Sequence, residues 1–130
     1  MELDKVYQLN KKAKILEGKI SGLKDAQTNL VPLIDGLPKS HNGGSKVEGL
    51  TVEVMTLEDE LTALREEIVK SSVELAKMIT SKVPAPASRI LLARYIGCLP
   101  FKRIIATENY SPAHIFYLHR QGVKQFKETI

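Results

Sequence analysis

The chain has 130 residues, of which 43% are hydrophobic and 26% are charged, as in ordinary globular proteins. The longest aliphatic run is Ile90 to Ala93, so no segment is predicted to span a membrane. The single cysteine, Cys98, excludes an intramolecular disulfide, and the first five residues carry no apolar signal-like stretch. Both features favour a cytoplasmic protein.

Charge is distributed unevenly along the chain. The first 80 residues contain 11 cations and 13 anions, whereas residues 81–130 contain eight cations and two anions, a net charge of +6. The acidic clusters at 58–60 and 66–67 fall on a predicted helix, where such runs are usually solvated. The basic C-terminal block indicates a polyanionic partner.

The first 80 residues predict two long helices. Apolar side chains recur at alternating intervals of three and four residues from Val6 to Leu30, and again from Leu50 to Met78. A repeat that averages 3.5 residues forms a seam along one side of a helix, and this seam must be buried against another helix. Residues 32–46 contain two Pro and three Gly and therefore predict a loop between the two helices.

Two heptad helices with a linker fit either an antiparallel hairpin within one chain or a dimeric coiled coil. Gln27 and Ser71 occupy seam positions, where a polar residue either specifies the register or is simply tolerated. We expect residues 1–80 to form a helical region that makes the protein a homodimer.

Residues 81–130 predict three shorter helices. Pro84 and Pro86 end the long helix, and the next helix is expected to start with Ser88 as N-cap and to stop at Gly97. Pro100 suits the start of the following helix, and Ser111-Pro112 pairs a capping residue with a favoured first helical residue. The last helix is amphipathic, and the residues expected to be buried are Ile115, Leu118, Gly122 and Phe126, with Gly122 as a position of close packing.

The C-terminal third resembles the DNA-binding region 4 of bacterial sigma factors. The residues that carry the resemblance are 94–104, the Asn-Tyr-Ser turn at 109–111, and 115–119 with Val123. The chain is more similar still to the sigma-region-4-like regulators of Gram-positive phages, the ArpU/RinA type and their relatives. Their linker and long Glu-rich helix also resemble residues 1–80.

This resemblance implies an all-α protein in which residues 81–130 form a tri-helical helix-turn-helix. It implies a phage-encoded transcription regulator whose partner is double-stranded DNA. Two positions depart from the pattern: those proteins usually have Ala at the position of Ile105 and an apolar residue at that of Glu108. The first turn of the last helix, 112–114, also lacks the polar base-reading side chains of sigma region 4.

In a helix-turn-helix the second helix of the pair enters the major groove, so DNA contacts are expected from the exposed face of the last helix. Phosphate contacts are expected from the basic side chains nearby. The predicted DNA-binding residues are Lys102, Arg103, His114, Tyr117, Arg120, Lys124 and Lys127.

Two other functions fit the sequence. The first is a module that binds a protein such as host RNA polymerase or a repressor, through the apolar surface of Pro112, Ala113 and Phe116. The second is a DNA-packaging recognition subunit, for which a ring is expected in place of a dimer.

No enzyme, cofactor or metal site is predicted. Gly43-Gly44 lacks the flanking pattern of a nucleotide-binding loop, and His114 and His119 are spaced to lie on different helix faces. His119 is expected either to contact a phosphate or to hold the edge of the core through a hydrogen bond.

Overall fold

The structure is a computed structural model that describes the backbone of residues 2–35 and 41–128 and the side chains of 2–28 and 48–128. Within these ranges the chain is all-helical and has no strand, which confirms the predicted all-α class. The helices are α1 (Lys5–Asp35), α2 (His41–Lys82), α3 (Ala87–Leu91), α4 (Phe101–Thr107) and α5 (Pro112–Glu128), and α3 continues into a π-helical turn, Leu92–Ile96. None of the described helices combines the length and the apolar character needed to cross a membrane.

One compact unit comprises Asn10–Glu67, where α1 and α2 pair in antiparallel orientation. Glu17 forms an ion pair with Arg65 at 3.0 Å, and Lys24 forms one with Glu58 at 2.8 Å. The later residue of α1 thus contacts the earlier residue of α2, as in an antiparallel pair. The polar seam residue Gln27 donates a hydrogen bond to Thr51, as a register-setting contact does. The heptad seams therefore meet within one chain. They thus give no support to the expected homodimer, which stays a prediction.

The linker between these helices is shorter than the predicted loop of residues 32–46, because α1 runs to Asp35 and α2 begins at His41. Pro32 lies in the last turn of α1, where its missing N–H leaves one helical hydrogen bond unformed close to the end of the helix. Asn42, Gly43 and Gly44 lie in the first turn of α2, whose N–H groups have no intrahelical acceptor in any helix. Residues 36–40 of the predicted loop lie outside the described residues.

The other compact unit consists of the described parts of Met1–Leu9 and Ile68–Ile130. Its larger core joins Val6 of α1 and Leu75 of α2 to Leu91 of α3 and Phe126 of α5. Gly122 is buried against this core, and a Cβ atom there would lie 3.1 Å from the side chain of Leu91. This confirms the close approach expected at Gly122. The domain boundary predicted after residue 80 stays a prediction.

A second core cluster of this unit unites the last three helices. Ile90 of α3, Ile104 of α4 and Ile115 of α5 are each at most 1% exposed and contact one another. Leu118 packs on both clusters, and Gly122 and Phe126 are buried, so the predicted inner face of α5 is confirmed. α5 is consequently held along its length by one apolar face.

Of two predicted helix-end signals, the Ser88 cap is wrong and the helix end at Gly97 is confirmed in position. Ser88 is a buried residue inside α3, because the helix begins at Ala87 and Pro86 occupies the N-cap position without a side-chain capping hydrogen bond. Gly97 does follow the last helical residue, but its φ is −71°, and Cys98 is the residue with a left-handed φ of 54°. Gly97 is required for another reason: a Cβ atom there would lie 2.8 Å from the carbonyl oxygen of Ala93.

Candidate nucleic-acid interface

The start of α5 is defined by the predicted Ser111-Pro112 pair. The Ser111 hydroxyl accepts a hydrogen bond from the backbone N–H of His114 at 3.3 Å, and its carbonyl accepts one from Ile115 at 3.0 Å. Pro112 is the first helical residue, where its lack of an N–H costs nothing. The first turn of α5 is thus anchored at both its cap and its buried side chain Ile115.

The turn between α4 and α5 is fixed by an ion pair. Arg89 of α3 donates to Glu108 at 3.4 Å, and this hydrogen bond, with a lesser one to Tyr110, raises the pKa of Arg89. The pair gives the charged Glu108 side chain a partner at this turn. Ile105 of α4 is half-buried and packs against the core cluster of Ile90, Ile104 and Ile115.

All seven predicted site residues are exposed. Lys102 and Arg103 lie in the first turn of α4, and Lys127 lies in the last turn of α5. His114, Tyr117, Arg120 and Lys124 follow one another at intervals of three or four along α5 and therefore share one side of it.

Two of these residues have close neighbours that bear on their role. The rings of His114 and Tyr117 are stacked at 6.0 Å. Lys127 stands apart from the others, since it lines a cleft together with Glu2, Asp4 and Lys82. Four of the seven residues therefore share one face of α5, Lys102 and Arg103 are exposed on α4, and Lys127 lines a separate cleft.

His119 of α5 is half-buried, and it makes contacts with Tyr95 and Phe101 that the sequence did not predict. Its Nε2 atom and the Tyr95 hydroxyl are joined by a hydrogen bond of 2.8 Å, and its ring packs edge-on against Phe101 at 4.9 Å. Arg94 covers the Phe101 ring at 4.5 Å and bonds to the carbonyl oxygen of Leu99. His119 therefore acts as the core-edge residue, one of the two roles expected for it.

Burial lowers the pKa of His119, and the nearby Arg94 and Arg120 lower it further. The unfolded chain then takes up a proton at this site more readily than the folded chain, starting near pH 6.5. We expect the free energy of unfolding to be steady above about pH 6.5 and to fall as the pH drops below it.

Urea unfolding at a series of pH values measures this effect, with His119→Gln as the control that keeps every other titrating group. The wild type should lose more stability than the variant on going from neutral to mildly acidic pH. Parallel pH profiles for the two proteins would show that His119 titrates normally and would contradict the expectation.

Within the described ranges, no three His, Cys, Asp or Glu side chains are grouped so that they hold a metal ion. No protein-family model, curated protein or solved structure matches the chain.

Proposed function

We propose that the chain is a DNA-binding transcription regulator of the sigma-region-4-like phage type, acting in the cytoplasm of a bacterial host. In this proposal α4 and α5 form a helix-turn-helix, and α5 enters the major groove of duplex DNA. The observation that carries this proposal is that α5 is amphipathic. One face is buried on Ile90 and Ile104, and the opposite face exposes Tyr117, Arg120 and Lys124.

The charges around α5 support a polyanionic partner. Lys102 and Arg103 are exposed at the start of α4, the helix that crosses the DNA backbone in this motif. The two acidic residues of the C-terminal block do little to oppose it, because Glu108 is engaged by Arg89 and Glu128 lies at the far end of α5, 4.0 Å from Lys124. Phosphate contacts would supply most of the affinity.

Single substitutions of Arg120→Ala and Lys124→Ala test this assignment. Each should weaken binding to every duplex alike and make the salt dependence shallower by about one phosphate equivalent. Lys70→Ala is the matched control, since Lys70 is an exposed cation on α2, far along the chain from α5.

The measurement is fluorescence anisotropy, with duplexes selected from a random-sequence pool and with an unrelated duplex. If both α5 variants bind like Lys70→Ala, α5 is not the DNA-contacting helix and the proposal fails in this form.

A second candidate function is binding to a protein, such as host RNA polymerase or a repressor. It is favoured by the exposure of Phe116, which is 39% accessible on the same helix as the exposed cations Arg120 and Lys124. This function predicts that Phe116→Asp abolishes partner binding in a pull-down, whereas Arg120→Ala and Lys124→Ala leave no DNA phenotype.

A further inference from the structure

The outward surface at the start of α5 is apolar and aromatic, which is unusual for a helix proposed to read DNA. Ala113 is exposed, Tyr117 is 48% exposed and Phe116 is 39% exposed. Tyr110, in the turn just before α5, adds a further ring that is 37% exposed. We call these four residues the aromatic surface.

The rings of the aromatic surface are held in place by neighbouring rings. Phe116 packs against Phe101 with centroids 5.0 Å apart, and His114 lies between Tyr110, at 4.8 Å, and Tyr117, at 6.0 Å. Side chains packed in this way lose little conformational entropy on binding, so the surface is preorganised for a partner that covers it. Exposed aromatic clusters of this kind mark interaction sites.

The charges that border the aromatic surface select among partners. Arg103 of α4 is exposed, and Arg120 and Lys124 follow Tyr117 within two turns of the same helix. An apolar patch bordered by cations complements a partner whose apolar groups lie between rows of phosphates. The major groove of DNA is such a partner, because it presents the thymine 5-methyl group beside polar base edges and between two phosphate backbones.

Direct base readout by hydrogen bonds is limited at this end of α5. The side chains that make paired hydrogen bonds to bases are Arg, Lys, Asn and Gln. Pro112 and Ala113 cannot form any side-chain hydrogen bond, and the His114 ring can offer a single bond to a base edge. Van der Waals contact with a thymine methyl group is the discrimination that remains to Ala113, and the Tyr117 ring adds apolar area of the same kind beside its hydroxyl group.

We infer that this protein selects its DNA site mainly by contact between the aromatic surface and thymine 5-methyl groups, so that its target is thymine-bearing duplex DNA. The inference rests on the proposed function, since it requires α5 to lie in the major groove. It assigns Ala113 and Tyr117 as specificity-determining residues, and it leaves Arg103, Arg120 and Lys124 to bind phosphates without regard to sequence.

Replacing thymidine by deoxyuridine in a bound duplex tests this inference, because the change removes the methyl group and leaves every hydrogen-bonding group of the base pair intact. The duplex is first selected from a random pool with the full-length chain. Each contacted thymine changed to deoxyuridine should weaken binding roughly fourfold, as expected for the loss of one buried methyl group. The same change outside the bound segment is the control and should have no effect.

Tyr117→Ser links the effect to this surface. The variant should bind the thymidine duplex as weakly as the deoxyuridine duplex, so the difference between them disappears at the contacted position. Unchanged affinity of the variant for the deoxyuridine duplex shows that it is folded and still engages the phosphates. Ala113→Gly repeats the test at a second, smaller side chain.

The outcomes separate the two proposals. If the wild type binds the selected duplex and deoxyuridine has no effect, the inference is overturned and the proposed function stands. If the thymine effect persists unchanged in both variants, its assignment to the aromatic surface is overturned. If no duplex binds even at low salt, the proposed function itself fails, and the aromatic surface then belongs to a protein interface.

Discussion

Leu75→Ala is expected to lower the free energy of unfolding by about 2–5 kcal/mol, the usual range for truncating a fully buried leucine. Leu75 has no exposed surface and lies in the core that joins Val6 of α1 to Leu91 of α3 and Phe126 of α5. The truncation leaves a cavity whose walls come from four helices. Because these walls are fixed by several independent elements, we expect little collapse and a cost toward the upper part of the range.

Val73→Ala is the matched control, since Val73 lies two residues away on the same helix with half of its surface exposed. Its effect should stay within about 0.5 kcal/mol, as for most surface substitutions. Urea unfolding followed by circular dichroism measures both variants. Equal midpoints for the two would mean that α2 does not bury Leu75 against the C-terminal helices.

Much of the fold follows from periodicity. Among the described side chains, the seam residues of α1 and α2 are buried or half-buried as the 3–4 spacing predicted, because a helix with one apolar side must bury it; Leu30 lies outside the described side chains, and the buried Ile79 was missed. The amphipathic pattern of residues 112–128 likewise predicted the buried face of α5 and the exposure of Arg120 and Lys124. Ser111-Pro112 located the start of α5 because the cap acts within one turn, where local sequence is sufficient.

What the sequence could not predict depends on contacts between distant residues. Tyr95 bonds to His119 across 24 positions and Arg89 to Glu108 across 19, and no local pattern signals either pair. The π-helical turn and the left-handed Cys98 were missed as well, since Gly97 carries the expected stop signal one residue earlier.

Strong salt dependence is the second large effect that we expect. Five exposed cations lie on α4 and α5, namely Lys102, Arg103, Arg120, Lys124 and Lys127, and we expect about four to six phosphates to be neutralised in the complex. Each neutralised phosphate releases condensed counterions, so log K should fall with log salt with a slope of roughly −4 to −5. Affinity for duplex DNA should then drop by about 300- to 1,000-fold between about 50 and 200 mM salt.

The salt titration of duplex binding, run in parallel on the wild type and on the double variant Arg120→Ala/Lys124→Ala, tests the central claim most directly. The proposed function predicts a slope of roughly −4 to −5 for the wild type and a slope shallower by about two for the double variant. A flat wild-type titration, or identical slopes for the two proteins, would contradict the claim that α5 holds this chain on DNA.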